Sequence, residues 1–162
     1  MTDFLLELIL WLFVLNLGIA LGAGLYESRI MVPQWLVSTA SGYEWNGAAA
    51  REANTGLRFW VYVTTIPLTL LTLASLVACF WTETPVRGWW LGAAVAALVD
   101  RSMTFGYFIP AMVRLLQDET LSRSKAVESA LQWVQVGYVR HTATLVAWLA
   151  ALKALTLLSA GS

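Results

Sequence analysis

Four long apolar stretches leave this chain few ways to fold. They run over residues 4–31, 57–81, 89–116 and 131–158, and each exceeds the roughly 20 residues that a helix needs to cross a bilayer. Hydrophobic residues make up 59% of the chain and charged residues 12%, whereas about a quarter of the residues in a soluble domain are charged. Backbone groups in lipid must bond within their own segment, so the spans are predicted to be helices. The sequence therefore predicts an all-α integral membrane four-helix bundle, with residues 1–162 as a single domain.

The distribution of basic residues predicts the orientation of this bundle. Four spans leave both termini on one face, here called side A, while side B carries the loops over 33–56 and 117–129. Side B holds Arg29, Arg51, Arg58, Arg114, Arg123 and Lys125, and side A holds only Arg87 and Lys153. Because basic loops stay in the cytoplasm, both termini are predicted to lie outside it, with the protein in a bacterial inner membrane. The first seven residues lack Lys and Arg, so the first stretch is predicted to be a retained helix and not a cleaved signal peptide.

Tryptophans gather towards the ends of the spans. Those near side A are Trp11, Trp81, Trp89 and Trp90, and those near side B are Trp35, Trp60 and Trp133. Amphipathic rings favour the interface between lipid and water. This distribution predicts two interfacial belts, so membrane lipid is the first expected partner.

Several classes of function are excluded by the composition. The chain carries 10 basic and 10 acidic side chains, which gives no electrostatic footprint for nucleic acid. Cys79 is the only cysteine, so neither an intrachain disulfide nor a Cys-x-x-Cys redox centre can form. His141 is the only histidine and has no carboxylate at i+3 or i+4, which argues against a metal or haem site. No cofactor is predicted.

Two ionisable pairs, Asp100-Arg101 and Arg140-His141, lie inside the apolar stretches. A charge in hydrocarbon costs several kcal/mol, so such residues face a bundle interior and are usually paired. Helical spacing lets them form one cluster in the side B half of the bundle with Glu27, Arg58 and Tyr107. In it two acids offset three arginines, and the cationic surplus would attract an anion. The alternative is that the charges only cross-pair to fix helix register.

The expected partner of Asp100 is an arginine. Arg101 follows it directly in the chain, but successive side chains point about 100° apart on a helix. Arg140, on the neighbouring helix, is therefore the predicted partner.

Helical spacing also predicts which faces pack. Arg58, Tyr62, Thr65, Thr69 and Thr72 recur as one polar seam, whose hydroxyls would bond to another helix or to the i−4 carbonyl. Pro67 lies within that seam and should kink the helix and free a carbonyl near Val63. Pro110 should interrupt the third span in the same way. Gly18 and Gly22 form a small-xxx-small pair that predicts close helix packing.

Several short motifs resemble a known family. They are Gly22-Ala23-Gly24-Leu25-Tyr26-Glu27, Val32-Pro33, Arg58-Phe59-Trp60 leading into Pro67, Thr104-Phe105-Gly106-Tyr107-Phe108-Ile109-Pro110-Ala111-Met112, and Trp133 with Tyr138-Val139-Arg140-His141. With their spacing, over nearly the whole chain, they resemble the small four-helix membrane proteins grouped with the anthrone oxygenases. The resemblance implies a four-helix bundle and a cofactor-independent oxygenase that acts on lipophilic aromatic substrates.

Such chemistry needs a base, stabilisation of the resulting anion, and an apolar cavity for dioxygen. His141 is the candidate base, and Arg101 and Arg140 are the candidate anion clamp. Asp100 or Glu27 would orient His141 or an arginine. The candidate substrate-binding residues are Glu27, Arg58, Tyr62, Tyr107, Tyr138 and Trp148, with Phe105 as a further apolar wall.

Two other classes of function remain open. A lipophilic-ligand binding or transport protein would use the intramembrane charges to load an ion and would be a homodimer lined by Glu27. A structural subunit would use them only to lock helices. An enzyme should have a closed pocket opening laterally or to one face, and a structural bundle should have no cavity beside Arg140.

Overall fold

The computed structural model describes residues 2–118 and 120–161. Met1, Glu119 and Ser162 lie outside this description, so the predicted domain limits at 1 and 162 are not covered. The described chain is mostly helical and forms four long helical stretches over 2–35, 56–81, 86–117 and 123–161. The all-α prediction is confirmed. The first and last stretches extend beyond the predicted spans 4–31 and 131–158.

In the described residues the first three stretches are built from shorter elements, the fourth is the single helix Arg123–Gly161, and the short helix Gly47–Ala53 lies in the loop between the first two stretches. The α-helices are α1 Thr2–Tyr26, α2 Val32–Trp35, α3 Gly47–Ala53, α4 Ile66–Ala78, α5 Val86–Met103, α6 Ile109–Gln117 and α7 Arg123–Gly161. Three π-helical segments join them, here called π1 Glu27–Met31, π2 Gly56–Thr65 and π3 Thr104–Phe108. A single 3₁₀ turn over Cys79–Trp81 ends the second stretch.

Among the described residues, three helices are long and apolar enough to cross a membrane: Phe4–Trp35, Gly56–Trp81 and Arg123–Ala160. They correspond to the first, second and fourth predicted spans. The third stretch is as long but carries the Asp100-Arg101 pair near its centre, which lowers its hydropathy. Composition therefore supports membrane association through three helices.

The helices α1, α4, α5 and α7 pack as a ring in which each contacts two neighbours. α1 contacts α4 and α7, and α5 contacts the same two helices from the other side. Two apolar cores form inside this arrangement. One contains Leu10, Phe13, Leu68 and Trp90 towards side A, and the other contains Trp35, Phe108 and Trp133 towards side B. The ionisable residues lie between the two cores.

Each π-helical segment precedes a proline. The residue before Pro33, Pro67 and Pro110 donates its N–H to the carbonyl five residues earlier: Val32 to Glu27, Ile66 to Val61 and Ile109 to Thr104. Proline has no N–H and its ring clashes with the preceding turn, and the wider π turn accommodates it. The first helix thus continues through Pro33 to Trp35, where a loop was predicted.

The carbonyl that Pro67 leaves free has a partner. Asn16 Nδ2 donates to the Val63 carbonyl oxygen at 2.9 Å, as the sequence predicts for a carbonyl near this proline. The hydroxyl seam is confirmed in its simpler form, since Thr69 and Thr72 donate to the carbonyls of Thr65 and Leu68. The Asn16 bond links α1 to π2, whereas the two threonine bonds stay within the second helical stretch.

The glycine pair behaves differently at its two positions. A Cβ on Gly18 would lie 3.2 Å from the Trp148 indole nitrogen, so Gly18 allows close packing as predicted. Gly22 is exposed, and a Cβ there would meet nothing within 4 Å. The packing prediction is wrong for Gly22, because α7 contacts this part of α1 at Gly24, where a Cβ would lie 2.6 Å from His141 Cε1.

The side B loop contains structure that the sequence did not predict. Strands β1 Leu36–Thr39 and β2 Gly42–Trp45 form an antiparallel hairpin in which Leu36 is opposite Trp45. The turn needs a glycine, since Gly42 has φ of 128°. Arg123 at the start of α7 bonds to Glu44 at 2.6 Å, which ties the hairpin to the second loop at the same end of the molecule.

Candidate functional site

A cavity of about 100 Å³ lies between the two apolar cores. All four helical stretches contribute to its walls, and the three π-helical segments each supply at least one lining residue. We call it the charged cavity. It is lined by Ala20, Glu27, Thr55, Gly56, Trp60, Thr64, Thr65, Asp100, Arg101, Thr104, Phe108, Ile109, Met112, Trp133, Arg140, His141 and Thr144. The cavity contains both ionisable pairs that the sequence placed inside apolar stretches.

Asp100 and Arg101 form a buried ion pair on α5. Arg101 Nε donates to Asp100 Oδ2 at 2.9 Å, and Nη2 contacts the same oxygen. Thr144 on α7 donates to Asp100 Oδ1 at 3.1 Å. The prediction that Asp100 pairs with an arginine is confirmed, but the choice of Arg140 is wrong. The Cβ atoms of neighbouring residues diverge, but the long arginine side chain can still curl back to its neighbour.

Arg101 keeps one unused donor in the cavity. Its Nη1 is buried and has no hydrogen-bond partner among the described residues. A buried guanidinium nitrogen without an acceptor loses the hydrogen bonds it had in water. Asp100 fixes the side chain through the other two nitrogens, so Nη1 is held ready for an acceptor that enters the cavity.

Arg140 has no ion pair or hydrogen bond from its side chain to any described residue. Its guanidinium carbon lies 4.2 Å from the centre of the Phe108 ring and 5.7 Å from the centre of the Trp60 ring. Cation–π contacts of this kind stabilise a cation without using its N–H groups. Arg140 therefore also presents free donors to the cavity.

Glu27 is buried at the start of π1 and accepts two hydrogen bonds. Thr55 Oγ1 and Trp60 Nε1 donate to the same carboxylate oxygen, Oε1, at 2.9 and 2.8 Å. Its side chain makes no ion pair with an arginine in the described chain. The predicted role of orienting an arginine therefore falls to Asp100 alone.

His141 is held by α1 and π1, and neither acid touches it. Its Nε2 shares a hydrogen bond with Ser28 Oγ at 3.0 Å. A Cβ on Gly24 would lie 2.6 Å from His141 Cε1, so the imidazole sits in space that only glycine leaves open. Gly24 and Ser28, four residues apart on one face, fix where the ring lies.

The structure brings together five of the predicted site residues: Glu27, Asp100, Arg101, Arg140 and His141. The other five lie outside the charged cavity, and they are Arg58, Tyr62, Tyr107, Tyr138 and Trp148. Arg58 is exposed, Tyr62 and Tyr138 are 70% and 54% exposed, Tyr107 packs on Phe108, and Trp148 packs on Gly18. Phe105 is exposed as well. With Arg58 outside, two carboxylates face two guanidiniums, so the predicted cationic surplus is absent.

The lining residues that the sequence did not single out are mostly neutral. Trp60 and Trp133 were assigned to an interfacial belt, but Trp60 bonds to Glu27 and Trp133 is buried. Thr55, Phe108 and Thr144 also face the cavity. The only sequence feature that pointed to Trp60 as a site residue was its place in the motif Arg58-Phe59-Trp60.

A second space adjoins the charged cavity at the surface between α1 and π2. This groove of about 490 Å³ is lined by Gly22, Ala23, Tyr26, Glu27, Met31, Thr55, Phe59 and Trp60. We call it the aromatic groove. Three residues, Glu27, Thr55 and Trp60, line both spaces. The hydrogen-bonded trio that they form is therefore the boundary between an apolar surface groove and a polar interior.

Among the described residues, no group of three or more His, Cys, Asp or Glu lies close enough to hold a metal ion. No protein-family model, curated protein or solved structure matches this chain. Its function is therefore inferred from the cavity, the groove and the sequence motifs described above.

Proposed function

We propose that this chain is a four-helix bundle in a bacterial inner membrane, with both termini outside the cytoplasm and lipid around its apolar faces. Three of its helices have the composition of membrane spans. The third stretch packs its helix α5 between α4 and α7, and its ionisable pair Asp100-Arg101 is buried. A span that turns its charges inward is compatible with a lipid environment.

The function that the site supports best is cofactor-independent oxygenation of a lipophilic, anthrone-like aromatic substrate. The observation that carries this proposal is the combination in one cavity of His141 and two guanidinium groups with unused donors, Arg101 Nη1 and Arg140. The formal charges of the two acids and the two arginines cancel. A balanced cavity favours a substrate that enters neutral and becomes an anion there.

In the proposed reaction, His141 removes the hydroxyl proton from the phenol tautomer of the substrate, whose reacting carbon lies between the two outer rings. The substrate oxygen becomes an oxyanion, which Arg101 and Arg140 stabilise by donating hydrogen bonds. The proton remains in the cavity on His141, so the net charge of the buried site stays constant.

The carbanion passes one electron to dioxygen, and the two radicals combine to form a C–O bond. The resulting peroxide takes the proton from His141 and then loses water to leave a carbonyl. Overall, CH₂ and O₂ give C=O and H₂O, with four electrons passing from carbon to oxygen. Dioxygen is the only co-reactant.

A lipophilic-ligand binding or transport protein is the second candidate. The observation that favours it is Glu27, a buried carboxylate that borders both the groove and the cavity. Intramembrane carboxylates load and release ligands in carriers, which commonly alternate access across a repeat or homodimer interface. The cavity beside Arg140 disfavours a purely structural subunit.

The test is oxygen consumption by the purified protein with a panel of anthrone-like phenols, without added metal or flavin. His141→Gln should lower turnover by about 10²- to 10⁴-fold, the usual loss of general acid–base help. Arg140→Lys should also impair it, because an ammonium lacks the planar donor set of a guanidinium. Thr142→Val is the matched control, since Thr142 follows His141 but is exposed.

No oxygen consumption by the wild type with any of these phenols, or full activity in His141→Gln, would refute the oxygenase. Binding that is retained without turnover, and lost in Arg140→Gln, would instead support the binding or transport protein.

A further inference from the structure

The charged cavity is too small for the whole substrate. At about 100 Å³ it is smaller than a cavity of roughly 150 Å³ that accommodates benzene. A ligand with several rings must therefore place most of its body elsewhere. The adjoining aromatic groove, at about 490 Å³, falls in the usual range of ligand pockets, roughly 300–1,000 Å³.

The walls of the groove suit a flat ring system. Gly22 and Ala23 leave open space on the α1 side, and a Cβ on Gly22 would meet nothing within 4 Å. Tyr26, Phe59 and Trp60 supply aromatic surface. The Phe59 and Trp60 rings meet edge to face at 5.4 Å between centres, a geometry that aromatic rings prefer with one another.

The groove and the charged cavity share part of their lining. Glu27, Thr55 and Trp60 line both spaces. Gly22 and Tyr26 are exposed on the outer face of α1, which in the proposed bundle faces the lipid. A hydrophobic molecule dissolved in the membrane would reach this groove without passing through water.

We infer that the aromatic groove holds the planar polycyclic body of a neutral phenol-type ligand taken up from the bilayer, while its oxygen reaches past Glu27 to Arg101 and Arg140. This inference rests on the proposed function and names the ligand class and its route of access. Gly22 then determines specificity, because its missing side chain leaves room for the rings.

The experiment compares two ligands that share a hydroxyl and differ in their apolar body. Binding of 1-hydroxypyrene is measured by quenching of tryptophan fluorescence in nanodiscs, with empty nanodiscs subtracted, and binding of phenol by ligand-observed NMR. Gly22→Leu fills the groove and should weaken 1-hydroxypyrene binding by about tenfold or more, the effect of excess bulk in an apolar pocket. Phenol places at most one ring in the groove, so its binding should fall much less than that of 1-hydroxypyrene.

Two further variants separate this inference from the proposed function. Arg140→Gln should weaken the binding of both ligands. Ile19→Phe adds bulk at an exposed position of α1 outside the groove and should affect neither. Each variant is first shown to unfold at the temperature of the wild type.

If Gly22→Leu leaves 1-hydroxypyrene binding unchanged while Arg140→Gln loses both ligands, the groove is not the binding site of the rings. The proposed role of the charged cavity would then still stand. Full binding of both ligands in Arg140→Gln would overturn the proposed function and this inference together.

Discussion

Replacing Asp100 with asparagine should destabilise the protein strongly although it changes few atoms. Asp100 is 2% exposed and Arg101 is 7% exposed, and Asp100 accepts both hydrogen bonds that Arg101 Nε and Nη2 donate. Asparagine keeps the size of the side chain but removes its charge, which leaves the arginine uncompensated inside the protein. Breaking a buried pair in this way costs about 3–5 kcal/mol.

This cost predicts a measurable change in thermal unfolding. For chains of this length, 1 kcal/mol shifts Tm by roughly 2–4 °C, so Asp100→Asn should lower Tm by about 6–20 °C in detergent. The double variant Asp100→Asn/Arg101→Gln should recover much of the loss, because no charge is then left unpaired.

The chain offers a matched control for the same substitution. Arg114 Nε lies 3.7 Å from Asp118 Oδ2 near the surface, where the arginine side chain is 68% and the aspartate side chain 30% exposed, and hydrogen bonds from Thr120 lower the pKa of the Asp118 carboxyl. Asp118→Asn should leave Tm nearly unchanged, because exposed pairs contribute little. An equally small effect of Asp100→Asn, or additive losses in the double variant, would refute the buried-pair reasoning.

Two further predictions concern the placement of the site and of the chain. Gly24→Ala should displace the imidazole of His141 and destabilise the protein by about 1–3 kcal/mol through overpacking. The control Gly22→Ala should do neither. Because His141 is the only histidine, its Cε1–H NMR signal reports the displacement. Cysteines introduced at Ser122 and at Ser162, which lies outside the described residues, should be labelled from opposite sides of the membrane, and labelling of both from one side would contradict the proposed topology.

Local chemistry determined much of the fold. Apolar length predicted the helical stretches, because backbone polar groups in an apolar environment bond within their own helix. Pro67 predicted a free carbonyl near Val63, and Asn16 occupies it. The cost of burying charge predicted that Asp100, Arg101, Arg140 and His141 face the interior. These predictions depend only on a residue and its near neighbours in the chain.

The tertiary structure decided which side chains reach the cavity. A regular α-helix has 3.6 residues per turn, and this spacing predicted that Arg58 and Tyr62 face the interior. The backbone hydrogen bonds of π2 instead join residues five apart, so its turns are wider. Thr64 is therefore buried there and Tyr62 is exposed. Asp100 pairs with Arg101 because the long arginine side chain bends back to its neighbour. The directions of the Cβ atoms on a helix do not reveal this flexibility. Gly22 faces open space because α7 packs against Gly24 at this level of α1, and that contact depends on packing between helices far apart in the sequence.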